Sequence, residues 1–232
     1  MAIIARSTGE SPRRELIPAG TYLARCYSII HIGTVKQTYL GEEKLVDLVR
    51  ITWELPTELR CFNADKGEQP CAISKEVTRS MNEKSTLRAL LTGWRGKNYT
   101  EEEAREVDIA KLIGQPCMVS LFHQASKSNP EKIYERIASI SPVMKGMTCP
   151  PQINPSFEFS VLDYDQAKFD LMPAFIQEMV RGSKEYQAML SKPAGRPVAT
   201  DNRSTPVANA TEETIGQVVS NSIEDSFDDL PF

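Results

Sequence analysis

Between Gly20 and Gly33 apolar and polar residues alternate with period two. Tyr22, Ala24, Cys26, Ile30 and Ile32 fall on one side, and Arg25, Tyr27 and His31 on the other. This predicts a half-buried β-strand over 21–32 that the two glycines bound. The same alternation returns over 44–55, where Leu45, Val49, Ile51, Trp53 and Leu55 interleave with Leu48, Arg50, Thr52 and Glu54. A third short strand is expected either at 59–62 or at 71–74. At Lys84 the period changes: Leu87, Leu90, Leu91 and Trp94 stand at i, i+3, i+4 and i+7, one face of a helix that Gly93 to Gly96 would end. Thr100 and Glu103 have capping-box spacing ahead of a second short helix stopping at Gly114. Alternation resumes over 117–123 and 133–140, two strands joined by a polar turn.

The order is three strands, a helical insertion and two strands. Pro142, Pro150, Pro151 and Pro155 then mark a surface connection. Helical spacing follows over 163–190, with Pro173 suited to a helix start and Ile176, Met179, Val180 and Leu190 available for docking. From Lys192 onward Ser, Thr, Pro, Ala and Asn dominate, and such a segment buries too little to offset its ordering entropy. The expected organisation is an N-terminal arm (1–18), one domain with a C-terminal helical extension (19–191) and a disordered tail (192–232).

Composition narrows the function. Of 232 residues 41% are hydrophobic, enough for a real core, and the net charge is −4. The charge is uneven: residues 1–98 carry +4, residues 99–191 carry −4 and residues 192–232 another −4. The span from Lys75 to Lys97 supplies the whole positive excess, which points to an anion-binding surface and a separate acidic tail. No apolar stretch reaches the ~18 residues of a membrane helix, and Arg6 and Glu10 come too early for a signal-peptide core. Five cysteines without any C-x-x-C pair, and only His31 and His123, do not make a zinc site; buried thiols in a reducing cytoplasm are expected. No cofactor and no metal is expected.

The last residues, Asp228-Asp229-Leu230-Pro231-Phe232, place carboxylates around a short apolar tip. On a flexible tether, the acids steer toward a basic groove and Phe232 fills an apolar pocket. This ending resembles the acidic tip of bacterial and phage single-stranded DNA-binding proteins, with Leu230 where Ile is usual. The segments 17–34 and 73–97 also look like phage-encoded members. The resemblance implies a mainly β fold with inserted and C-terminal helices, built on a five-stranded OB-fold barrel. It implies no enzymatic activity: single-stranded DNA is bound without sequence preference during replication, recombination or repair, in the host cytoplasm. The tip recruits replication or repair enzymes. From the segment charges and the tether length, the tail is also expected to compete with DNA, so that removing it extends binding to double-stranded DNA; self-association on DNA is a further expectation. Only the tip residues carry over one for one.

Physics supplies the rest of the expected interface. Sequence-tolerant binding needs cations for phosphates and aromatic faces for bases. On an ideal helix Lys84, Arg88 and Arg95 lie within ~40° of one another. Lys75, Thr78, Arg79 and Ser80 precede that stripe and Lys97 follows it. Arg25 and Tyr27 project from the first strand and Arg50 from the second. Lys36, Tyr39 and Lys44 lie between those strands, where OB domains often grip a strand. Arg60 and Phe62 extend the surface. Phe62, Phe122 and Tyr134 suit either stacking or packing, whereas Trp94 completes the apolar stripe and belongs in the core. Two other functions compete: a metal-dependent nuclease or strand-annealing recombinase, and a non-DNA adaptor that presents the tail. The acids Glu101, Glu102, Glu103 and Glu106 read better as a capped helix start than as a metal site.

Overall fold

The computed structural model describes residues 15–191 apart from 40–41, 64, 66 and 127–128. β1 (Gly20–Tyr39) and β2 (Glu42–Asn63) form a long antiparallel hairpin, and β3 (Gly67–Thr78) pairs with β2. β4 (Pro116–Ala125) takes the other edge of β1 over Gly20 to Arg25, and β5 (Ile133–Ser141) pairs with β4. β6 (Phe157–Ser160) runs parallel to β1 at Ser28 to His31, on the edge that β4 leaves open. The sheet therefore has six strands in the order β3-β2-β1-β4-β5, with β6 beside β1. Among the described residues no ladder joins β3 to β5, so the sheet does not close into the expected barrel.

Helices fill the β3–β4 connection and follow the last described strand. α1 (Thr86–Arg95), α2 (Glu101–Arg105) and a 3₁₀ turn (Ile109–Leu112) lie between β3 and β4. α3 (Gln166–Leu171), α4 (Ala174–Arg181) and α5 (Lys184–Ser191) follow β6. Ser85 caps α1 by accepting from Arg88 N–H, and the Thr100–Glu103 capping box is formed at α2. α1 packs closely on β5: a Cβ at Gly93 would stand 2.5 Å from the Ile140 carbonyl, so only glycine fits there.

Across β1 and β2 the sheet is buried on both faces. On one, Val49, Ile51, Trp53 and Leu55 meet Ile73, Val77, Val119 and Ile137 beneath Leu87, Leu91 and Trp94. On the other, Ile30, Ile32 and Leu48 meet Phe157, Phe159, Phe169, Met172, Ile176 and Val180 of the C-terminal segment. Burying a large apolar side chain contributes about 1.5–3 kcal/mol. That second cluster makes β6 and α3–α5 an integral layer.

Several sequence expectations change. β1 does not end at Gly33: the register shifts between His31 and Gly33, and that glycine, at φ +99°, lets the strand continue to Tyr39. Another shift, between Cys26 and Ser28, inverts the alternation, so Ile30 and Ile32 leave the face of Ala24 and Cys26 and Ile29 takes their place. The two alternatives for the third strand lie on neighbouring strands: 59–62 falls near the end of β2, with 59–61 opposite 68–70, and 71–74 lies in β3 opposite 52–55. The proline-rich connection hides β6 behind it. It is also anchored, because the buried Glu54 carboxylate accepts from Ile153 N–H (2.7 Å), Asn154 N–H (2.8 Å) and the Asn154 amide (2.7 Å). The 163–190 helix is three short helices, and Leu190 is 61% exposed rather than docked. The fold starts before Gly20: Ile17 is 1% exposed, donates its N–H to Glu135 Oε1 (2.8 Å) and accepts from His123 Nε2 (2.7 Å). The rest of the expected arm, 1–14, and the whole 192–232 tail lie outside the described residues.

Candidate nucleic-acid interface

The cations expected to face DNA separate into structural and exposed groups. Arg25 donates to the carbonyls of Gly114 (2.6 Å), Pro150 (3.0 Å) and Cys149 (3.1 Å), stapling two loops to β1. Arg50 is 2% exposed, pairs with Glu76 at 2.6 Å and lies over the Phe175 ring of α4. Tyr27 is buried too, and burial, reinforced by the charge of Glu54, raises its hydroxyl pKa. These three are corrections. The surface reserved for DNA is covered instead, at Arg50 by Phe175 of α4 and at Arg25 by the loops that carry Gly114 and Pro150.

The α1 stripe divides in the same way. Arg88 is buried and donates to the Met81 and Tyr99 carbonyls and to Glu101 Oε1 (2.8 Å), so it holds the loops around α1. Arg95 pairs with Glu103 (2.7 Å) above the Tyr99 ring, and Lys84 and Lys97 are exposed. Hydrogen bonds from Arg95 and then from Thr100 N–H hold the Glu103 carboxyl down to about 2, and the Arg88 hydrogen bond lowers Glu101. Both acids are thus engaged in the cap and its ion pairs.

Arg79 grips Asp47 through Nε (2.8 Å) and Nη2 (2.7 Å), and Asp47 accepts from His31 Nε2 (2.8 Å). His31 Nδ1 meets Ser160 Oγ at 3.0 Å, so the chain from Arg79 to Ser160 ties β6 to the β1–β2 hairpin. Thr78 is half-buried at the end of β3, and Ser80 serves the α1 entry, its carbonyl accepting the Ser85 hydroxyl (2.6 Å). Arg60 holds the carbonyls of Glu15 (2.5 Å) and Leu16 (2.8 Å), and Phe62 packs at the margin of the first core. Lys36 and Lys44 are exposed near the hairpin turn with loose partners, Glu43 at 3.3 Å and Glu42 at 3.6 Å; Tyr39 closes the hairpin opposite Glu42.

A different surface combines aromatic and cationic groups. On β4 and β5 the residues Phe122, Gln124, Tyr134 and Arg136 share the face turned away from the first core, with Phe122 paired opposite Arg136 and Gln124 opposite Tyr134. Phe122 is 40% exposed, and the Arg136 guanidinium lies 5.6 Å from the Tyr134 ring centroid. Lys75, half-buried on β3 opposite Ile51, is close enough to feel Arg136. Burial first, and then that like charge, lower its amine pKa. Two cations held together at the unclosed edges of β3 and β5 favour an anion beside them. Arg136 is missing from the sequence expectations because nothing in its local pattern marks it; only the β4–β5 register brings it opposite Phe122.

Below α1 and α2 a cleft of about 730 Å³ opens between Ile29 and His31 of β1, the 79–83 loop and β6. Among the described residues no group of three or more His, Cys, Asp or Glu side chains is placed to hold a metal ion, and no helix is long and apolar enough to cross a membrane. No known family model matches the chain, and no curated protein matches it.

Proposed function

We propose that this chain is a sequence-tolerant single-stranded DNA-binding protein whose sheet is an OB-type barrel left open between β3 and β5. The strand order β3-β2-β1-β4-β5, with a helix between β3 and β4, is the OB order cut at that seam. The observation that carries the reading is the outer face of β4–β5. There Phe122 and Tyr134 offer ring faces for bases, and Arg136 offers charge for phosphates, the two requirements of sequence-tolerant single-strand binding. Lys132, exposed at the start of that hairpin, adds a further cation.

The protein acts by binding rather than by catalysis, in a bacterial cytoplasm. Its Asp228 to Phe232 tip recruits replication or repair enzymes and competes with DNA for the basic surface. Titration of a dye-labelled single strand with full-length protein across a salt series tests the proposal. Affinity falling steeply with salt supports it, and no binding at low salt overturns it. Magnesium-dependent loss of the oligonucleotide would instead assign a nuclease.

A further inference from the structure

The 730 Å³ cleft does not suit DNA. Its floor is apolar, from Ile29, Leu87 and Phe159, and its rim carries Glu83, Glu106 and Glu158. These three acids are exposed. Arg79 on the same wall is neutralised by Asp47, which leaves Arg105 as the main opposing charge. A cleft of this kind fits a segment with an apolar start followed by basic residues. The 1–14 segment has that chemistry: Ile3 and Ile4 precede Arg6, Arg13 and Arg14, and Glu10 is its one acid.

Geometry decides whose arm it is. Ile17 is pinned between His123 of β4 and Glu135 of β5, beside the Gly20 end of β1. The cleft is at Ile29 and His31, farther along the same strand. At ~3.3 Å per residue the two places are up to roughly 36 Å apart. From Glu15 back to Ile4 the chain spans at most about 36–40 Å when fully extended. At that limit an arm would be drawn taut to reach its own cleft, whereas in a head-to-tail stack a neighbour's cleft lies beside it.

We propose that the 1–14 arm of one copy docks in the acidic cleft of a second copy, with Ile3 and Ile4 on the apolar floor and Arg6 and Arg13 against Glu106 and Glu158. The contact joins two different surfaces, so it repeats head to tail and builds an open chain of copies instead of a closed dimer. It needs no DNA, and it stands or falls apart from the proposed function.

Sedimentation velocity of full-length protein at about 50 mM salt, where surface charges act over the longest range, tests it. The wild type is expected to form species that grow past dimer with concentration and disperse at high salt. An arm variant (Arg6→Gln with Arg13→Gln) and a rim variant (Glu106→Lys with Glu158→Lys) should each associate at least about tenfold more weakly. Mixed one to one, they retain one intact arm and one intact cleft between them, and should form a complex that stops at two copies. Circular dichroism checks that both are folded; if the lysine pair unfolds, Glu106→Gln with Glu158→Gln replaces it. A monomeric wild type, a variant that associates as the wild type does, or a mixture that stays monomeric overturns the proposal.

Discussion

The guanidinium of Arg50 lies over the ring of Phe175, 5.2 Å from its centroid, while its Nη1 donates to Glu76 at 2.6 Å. A strand residue and a helix residue about 125 positions apart thus sandwich a charge between the sheet and its C-terminal cover. Breaking a buried pair by removing one partner leaves the other charge uncompensated. Arg50→Ala is expected to cost about 3–5 kcal/mol in urea unfolding, and Arg50→Met combined with Glu76→Leu much less. A loss below about 1 kcal/mol for Arg50→Ala would mean that Glu76 is not confined as described.

Lys84, in the turn that precedes the Ser85 cap, and Arg88, in the first turn of α1, should respond oppositely to charge reversal. Lys84→Glu touches an exposed side chain and should leave the melting temperature within a degree or two. Arg88→Glu removes a donor to three acceptors and buries a carboxylate among carbonyls. It should destabilise by about 3 kcal/mol or more. Thermal unfolding of the two variants side by side decides this, and equal melting temperatures would refute the assigned role of Arg88.

On the β4–β5 face, Phe122→Ala and Arg136→Ala should each weaken single-strand binding without a large change in stability. Losing one stacked base costs about 1–3 kcal/mol. Removing one phosphate contact should also lower the salt slope by about 0.7 for a single strand. Anisotropy titrations at several salt concentrations read both quantities. Unchanged affinity in both variants would move the DNA site elsewhere.

Glu103 gives a pH signature. Its carboxyl is held down to about 2 by Arg95 and then by Thr100 N–H, against an ordinary 4.5. A carboxylate with a depressed folded value stabilises fully above its unfolded value, and the contribution is lost as pH falls from about 4.5 through about 2. Between pH 7 and 5 Glu103 should add no pH dependence. Glu103→Gln can keep the capping hydrogen bonds but not the titration. Its melting temperature should therefore fall less than that of the wild type between pH 4.5 and 2. Parallel acid melts of wild type and variant would reject the coupling.

The tip is tested with the tail itself. Deleting Pro231 and Phe232 should leave the described domain folded and abolish capture of a replication or repair enzyme by the full chain. Deleting from Glu224 onward should tighten DNA binding, most at low salt, because a tethered acidic segment competes at high effective concentration. Equal affinities at low salt would show that the tail stays off the binding surface.

Much of the sheet was legible because period-two alternation survives wherever one face meets the core. Val49, Ile51, Trp53 and Leu55 sit where their spacing put them, as do Leu87, Leu91 and Trp94 on α1, and the Trp94 indole donates to the Pro116 carbonyl (3.0 Å). The alternation misled at β1 because a single extra residue, Tyr27, reverses which side each later residue takes. Arg25 and Arg50 misled for a related reason. On a two-sided sheet a polar residue between apolar ones marks the outer face of the first core, not solvent. What covers that face, β6 with α3–α5, is distant in sequence, and no local pattern announces it. The same holds for Arg88, whose partners are the carbonyls of loops that only the fold brings together.

Gly33 carries a constraint on how the chain could be rewired. A Cβ there would stand 2.6 Å from Glu185 Oε2 and 2.9 Å from Val161, because α5 is seated on the bend, with the Glu185 carboxylate accepting from Thr34 N–H and Oγ1 (both 2.7 Å). The first turn of the last described helix is therefore fixed at Gly33 and Thr34, far along β1 from Gly20, beside which Ile17 is held. Many domains bring their first and last residues close together and tolerate circular permutation. Here a permutant joining residue 191 to residue 15 would need a linker that spans much of β1, roughly a dozen extended residues. A shorter link would pull Glu185 off Thr34 or Ile17 out of its socket.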